Sequence, residues 1–282
     1  MLGRVGRLAR DARTWLRDDS DLRAARSPSE TAYSEINALF VRIIRETGAR
    51  PEYLWGSLHG ARLAKALGID EVSLIEFGVA GGNGLVALDG IAQAIETSVG
   101  VRARVFGFDT GQGLPPPVDW RDCPNIFVGG DFPMDVGKLR ARLRRTELVL
   151  GDVAATIEPF LERRPPPVAF VSFDLDFYSS TVEALRLFEA DADVLLPRVH
   201  CYFDDITGFT YADFNGERLA ISEFNERNNR RKISSFYGLR YYVPSRCAAD
   251  LWVEKMHLAH VLDHPLYGKP DGLLRVARKD LP

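Results

Sequence analysis

The sequence predicts an α/β fold, a doubly wound and mostly parallel sheet, and three observations predict it. From Glu71 onward short apolar runs alternate with amphipathic stretches, successive runs end in acidic residues, and Gly- and Pro-rich turns separate them. Such alternation implies crossover helices on both faces of a sheet whose strands are apolar throughout.

Residues 1–68 carry no strand pattern. Ile36, Leu39, Phe40, Ile43 and Ile44 share one helical face, which predicts an all-helical N-terminal extension, a lid or an oligomerisation arm. Arg4, Arg7, Arg10 and Arg13 also recur at helical intervals and read as a solvated face. Residues 69–282 form the main domain. The strand VSLIEF leads to the helix LVALDGIAQAIETS, then to the strand RVFGFD and a loop marked by Gly113-Leu114-Pro115-Pro116-Pro117. The strand ELVLGD, the helix ATIEPFLERR, the strand VAFVSFDLD, the helix TVEALRLFEA and the strand VLLPRVHCYFDD follow. Two tail segments, ISSFYGLRYYVPS and LWVEKMHLAHVLDHPLYG, are rich in β-formers and predict an antiparallel edge pair, seven strands in all.

The chain has 282 residues, 46% hydrophobic and 27% charged, enough for one sizeable core. With Lys+Arg at 36 against Asp+Glu at 39, bulk charge draws neither nucleic acid nor an anionic membrane, and a small-molecule partner is expected. No apolar run approaches the roughly 20 residues of a membrane span. Cys123, Cys201 and Cys247 match neither a disulfide framework nor a zinc set, and the N-terminus lacks an apolar signal core. A cytoplasmic location is expected.

In an open parallel sheet, ligands bind outside the carboxyl ends of the strands. Here those ends read Glu76 with Gly78, Gly81, Gly82 and Gly84, then Asp109, Asp152, Asp174 with Asp176, and Asp204 with Asp205. Glycines let a ligand approach the main chain and let the next helix offer its unpaired N–H groups. Asp109 suits the two hydroxyls of a ribose and Asp152 an exocyclic amine, although either is equally a turn or helix cap. Asp174 and Asp176, two apart on an extended segment, project to one face, and the next strand delivers Asp204 and Asp205 beside them. Crowded carboxylates call for a cation or for donors, and an oxygen-only set suits Mg²⁺, Ca²⁺ or Mn²⁺. Gly82-Asn83-Gly84-Leu85-Val86-Ala87 also satisfies a dinucleotide fingerprint, so an NAD-dependent enzyme or a non-catalytic nucleoside binder stays open. A phosphohydrolase reading of Asp174-Leu175-Asp176 fails for want of a lysine between 177 and 203. His200 reads as a core histidine, and His257, His260 and His264 as surface residues.

These residues resemble a class I S-adenosylmethionine-dependent methyltransferase, and more narrowly the macrocin O-methyltransferase family. Glu76-Phe77-Gly78-Val79 with Gly82 is similar to its E-x-G-V-x-x-G, and Asp109-Thr110-Gly111-Gln112-Gly113-Leu114-Pro115 to its D-[ST]-F-x-G-L-P, with Gly111 replacing the aromatic. Asp174 to Thr181 resembles D-x-D-x-Y-E-S-T, with Ser179 for Glu, and Asp204-Asp205 the D-D one strand later. Ala190-Asp191-Ala192-Asp193 stands where the family has a glycine-rich turn. The resemblance spans residues 70–206 and implies a Rossmann-like methyltransferase domain over 69–282. It implies that Glu76, Gly78, Gly81 and Gly82 hold the methionine part of S-adenosylmethionine, Asp109 and Thr110 the ribose and Asp152 the adenine, with Asp174 next to the cofactor. It further implies Mg²⁺ or another divalent ion on Asp176, Asp204 and Asp205, Asp176 or Tyr178 as proton acceptor, a sugar or related small molecule as acceptor, and a homo-oligomer.

Overall fold

The computed structural model describes residues 28–208 and 210–269; Arg4, Arg7, Arg10 and Arg13 lie outside the described residues. Seven strands form one sheet: β1 (Glu71–Phe77), β2 (Arg102–Asp109), β3 (Thr146–Leu150), β4 (Val168–Phe173), β5 (Leu195–Phe203), β6 (Arg231–Ser235) and β7 (Met256–Val261), in the order β3-β2-β1-β4-β5-β7-β6. The first five are parallel, and β7 runs antiparallel to both β5 and β6. This is the Rossmann-like, doubly wound sheet with an antiparallel edge pair. The strand order reverses between β1 and β4, and a ligand site is expected at the carboxyl ends there.

The tail differs from the reading in detail. Of ISSFYGLRYYVPS only the first residues are strand; Leu239–Tyr241 is a short 3-10 turn introduced by Gly238 at φ 76°, a conformation glycine adopts without Cβ strain. β7 inserts between β5 and β6 and so is covered on both edges. His257 and His264 are buried rather than on the surface.

The connecting helices are α3 (Asn83–Val99), α4 (Val136–Arg140), α5 (Val153–Glu162), α6 (Tyr178–Leu185), α7 (Gly216–Arg227) and α8 (Trp252–Lys255). Ahead of the sheet stand α1 (Pro28–Thr47) and α2 (Pro51–Ala66), each begun by a proline, whose fixed φ and missing N–H suit a first turn. α1 buries Ile36, Phe40, Ile43 and Ile44, the stripe their spacing predicts. α2 lies against the sheet through Gly56 and Gly60, one turn apart. A Cβ on Gly56 would come within 2.4 Å of the Phe170 ring, and one on Gly60 within 2.6 Å of the Ala169 carbonyl oxygen. Larger residues would lift the helix off β4, and Tyr53 would no longer reach the strand ends.

Among the described residues no helix is long and apolar enough to cross a membrane. All three cysteines are buried, and none is in a disulfide.

Candidate active site

Three of the parallel strands end in the same dipeptide: Phe108-Asp109, Phe173-Asp174 and Phe203-Asp204. Alternation along a strand puts each Phe and the following Asp on different sides of the strand end. With Phe77 at the end of β1, the phenylalanines form a row under the rim. Ring centroids are 4.7 Å apart for Phe77–Phe108, 5.5 Å for Phe77–Phe173 and 4.4 Å for Phe173–Phe203, the last pair stacked at 4°. Each such pair contributes on the order of 1 kcal/mol beyond area burial. The row seals the core, so the acids that follow begin at an apolar floor.

Above the end of β1 the chain turns tightly. Gly78 has φ 83°, and a Cβ there would lie 1.9 Å from the Asp174 carbonyl oxygen, so only glycine lets β1 and β4 close at this height. The Asp109 carboxylate organises the turn: Oδ2 accepts from Val79 N (2.9 Å) and Ala80 N (2.8 Å), and Oδ1 from Gly111 N (2.6 Å). Gly81 has open space where a Cβ would point, and Gly82, at φ 76°, precedes α3, which no side chain caps. The first turn of that helix therefore presents main-chain donors at the rim. Thr110 Oγ1 is used within its own turn, donating to Gly113 O and accepting from Gln112 N. Asp152 is exposed and caps α5 through Ala154 N at 2.8 Å.

Glu76 is buried beneath this turn. Its Oε1 accepts from the Tyr53 hydroxyl at 2.6 Å, and Tyr53 in turn accepts from Ser172 Oγ at 2.9 Å. Oε2 is buried with no hydrogen-bond partner. Burial pushes the carboxyl up to about 7, against the opposing pull of the Tyr53 hydrogen bond and the Arg50 charge.

One strand further on, ligand oxygens of Asp174, Asp176 and Asp205 all lie within 4.8 Å of one another. Asp176 holds φ 64°, a left-handed conformation that costs a non-glycine residue about 1–2 kcal/mol. Its N–H donates to Asp205 Oδ2 at 3.2 Å, and Tyr211 donates to Asp205 Oδ1 at 2.9 Å. Asp205 N donates to Oε2 of the wholly buried Glu217 at 2.9 Å, while Glu217 Oε1 has no partner. Burial, then the charges of Asp204, Asp205 and Asp176, drive Asp174 well above the usual carboxylate range. Burial and the Asp204 charge push Asp205 up to about 6. Asp204 differs: burial opposes its ionisation, but the Lys255 charge and the Tyr202 hydrogen bond outweigh it and lower its pKa. Asp204 Oδ1 accepts from Tyr202 (2.7 Å) and Lys255 Nζ (2.9 Å). The structure thus gathers Asp174, Asp176 and Asp205, and turns Asp204 toward a lysine.

Tyr178 opens α6, with Arg121 over its ring at 4.4 Å and its hydroxyl donating to Glu223 Oε2 at 2.6 Å. Burial and Glu223 raise its pKa. Its neighbour Ser179 is gripped by buried Asp122, through N at 2.8 Å and Oγ at 2.9 Å, which pins the loop of residues 110–135 to α6. His200 is a buried core residue beside Trp55 and His59, and burial pushes it down to about 3. Sequence reading missed Tyr53, Glu217 and Lys255; the repeated Phe-Asp strand end is the signal that marks the rim they converge on. A cleft of about 470 Å³ at the opposite rim is lined by the ion pairs Arg164–Asp191 and Arg186–Glu158 and stands apart from this site.

The sheet order, the antiparallel β7 and the glycine turn after β1 give a Rossmann-like fold that solved methyltransferases share. Two solved structures show the likeness. The calicheamicin methyltransferase CalS11 is 23% identical at a TM-score of 0.50, over 78% of this chain and 94% of its own. The O-methyltransferase NovP is 12% identical at a TM-score of 0.51, over 82% of this chain and 98% of its own. At these identities the likeness is one of fold. No protein-family profile and no curated sequence matches the chain.

Proposed function

We propose that this chain is an S-adenosylmethionine-dependent O-methyltransferase acting, with a divalent cation, on a hydroxyl of a sugar or related small molecule. The observation that carries it is the meeting, at one switch point, of an uncapped glycine turn with a crowded cluster of carboxylates. A nucleoside binder without chemistry, or an NAD enzyme, shares the turn but has no need of the crowding.

The residues fit the cofactor and the ion. Glu76 keeps a buried oxygen without a partner beside the turn, Gly81 leaves open space at the main chain while Gly78 lets the turn close on β4, and the oxygen-only donor set of Asp176 and Asp205 suits a hard divalent ion. In this reading Glu76, Gly78, Gly81 and Gly82 hold the methionine part. Asp109, through lone pairs its amide donors leave over, and Thr110 border the ribose; Asp152 lies toward the adenine, and Asp174 separates nucleoside from ion. Bound, the cofactor supplies an electrophilic methyl group and the ion supplies charge that lowers the pKa of an acceptor hydroxyl. Asp176 accepts the hydroxyl proton, because the Tyr178 hydroxyl is committed to Glu223 at 2.6 Å. The Phe row keeps the proton transfer above a dry floor. Trp120, Phe214 and Tyr241, exposed on loops that leave the same rim, offer aromatic faces for a sugar or ring-bearing acceptor. Residues 1–68 serve as lid or oligomerisation arm; Asn37 Nδ2 on α1 donates to Tyr242 O at 3.1 Å, joining the extension to a rim loop.

The test is incubation with methyl-labelled S-adenosylmethionine and a panel of glycosides and catechols, with and without EDTA. Label is expected to move to an acceptor oxygen and to stop with EDTA. No transfer to any acceptor, together with a melting temperature raised by NAD but not by S-adenosylhomocysteine, refutes the reading. Transfer indifferent to chelator removes the ion from it.

A further inference from the structure

Lys255 supplies a positive charge where the motif resemblance alone puts part of a metal site. It is the last residue of α8, immediately before β7, and the β5–β7 register that pairs Tyr202 with Met256 brings it over the end of β5. Only 9% of the residue is exposed. Its ammonium donates to both the main-chain oxygen and Oδ1 of Asp204 and lies 5.8 Å from the Tyr202 ring centroid. Oδ1 already accepts from the Tyr202 hydroxyl, so two donors hold this carboxylate. The Asp204 side chain keeps 35% of its surface exposed, so parting the pair would leave chiefly the buried ammonium uncompensated at low dielectric.

Asp205, next in sequence, turns the other way. Its two oxygens face Tyr211 and the Asp176 N–H, and its ligand oxygen falls within the 4.8 Å grouping with Asp174 and Asp176, which does not include Asp204. Behind it Glu217, wholly buried, accepts from the Asp205 N–H through Oε2 and keeps Oε1 without a partner. The adjacent carboxylates are thus divided: Asp204 pairs with Lys255, and Asp205 faces the other acids.

We infer that Lys255 is a positioning residue that reserves Asp204, so that the divalent ion is held by Asp176 and Asp205 beside Asp174, and Asp204 is not among its ligands. This rests on the reading of the cluster as an ion site. Because the ammonium cancels the Asp204 charge, removing both members of the pair together leaves the ligands and the net charge of the site unchanged.

The test titrates Mn²⁺ into the full chain and follows free Mn²⁺ by its EPR signal, with no acceptor or turnover involved. The double variant Asp204→Asn/Lys255→Met is expected to bind Mn²⁺ within about threefold of the unmodified chain. Lys255→Met alone, which frees a carboxylate, should bind about tenfold more tightly, and Asp205→Asn at least about 100-fold more weakly. A double variant as weak as Asp205→Asn, with its affinity for S-adenosylhomocysteine intact, overturns the assignment and makes Asp204 a ligand. An unmodified chain that binds no Mn²⁺ overturns the ion reading itself. Should the double variant not fold, acetic anhydride labelling of the unmodified chain decides: Lys255 should stay equally protected with and without Mg²⁺, and labelling that rises with Mg²⁺ shows the ion pulling Asp204 away.

Discussion

Replacing Asp109 by Asn tests whether one carboxylate builds the cofactor turn. The native group accepts three main-chain N–H bonds, two on Oδ2 and one on Oδ1. An amide has a single acceptor oxygen. If that oxygen faces Val79 and Ala80, the amide NH₂ meets the Gly111 N–H donor to donor; the flipped amide strands two donors instead. Losing one hydrogen bond to a charged group costs about 1.5–3 kcal/mol, and leaving its donor without a partner adds about 1–3 kcal/mol. Asp109 is only half-buried, and water meets part of the second cost. A net loss of about 2–4 kcal/mol is therefore expected, or roughly 4–16 °C in melting temperature for a domain of this size. The damage falls on the turn itself, so affinity for S-adenosylhomocysteine, measured by titration calorimetry, should drop at least about tenfold. An Asp109→Asn variant that melts within a degree of the native chain and binds with unchanged affinity refutes the reasoning, since the amides would then not depend on the carboxylate.

Glu76→Gln should trade function for stability. The folded carboxyl titrates at about 7 against an ordinary 4.5, so the native chain is favoured below the ordinary value and loses stability as pH rises through 7. In urea unfolding the Gln variant should gain up to about 3 kcal/mol at pH 8 and less than about 1 kcal/mol at pH 5, while its affinity for S-adenosylmethionine falls. His200 acts in the opposite sense: its folded pKa is depressed to about 3, so stability is full above the unfolded value of about 6.5 and is lost as pH falls below it. Its share at pH 5 is about 2 kcal/mol, and His200→Leu should flatten the slope of stability against pH between 7 and 5 accordingly. Gly78→Ala combines a left-handed φ with a Cβ 1.9 Å from a main-chain oxygen; a loss of at least about 3 kcal/mol in urea unfolding and no detectable S-adenosylhomocysteine binding are expected.

The parts of the fold that local pattern controls were legible in the sequence. The apolar runs ending in Glu76, Asp109, Asp174 and Asp204 became β1, β2, β4 and β5 because crossover connections leave such runs nowhere but a covered sheet. The stripe through Ile36 and Phe40 gave α1 its buried face. What stayed hidden depends on long-range register. Asp204 and Lys255 are 51 residues apart and meet only because β7 inserts beside β5, against the order of the chain. The Tyr53–Glu76–Ser172 chain needs α2 pressed onto β4 by Gly56 and Gly60, which in sequence look like poor helix formers. For Asp152 the sequence left cap and ligand open, and the structure shows it capping α5. For Asp109 the sequence likewise left turn cap and ligand open, and the structure shows it organising its own turn.

The central claim is that the rim above the phenylalanine row holds a sulfonium nucleoside beside a divalent ion. A crystal grown with S-adenosylhomocysteine and Mn²⁺ tests it most directly, with anomalous scattering to locate the metal. The nucleoside should lie along residues 78–82 with its ribose at Asp109, and a manganese peak should be bonded to Asp176 and Asp205. Nucleoside density at another part of the sheet, or a manganese peak remote from those two aspartates, contradicts it.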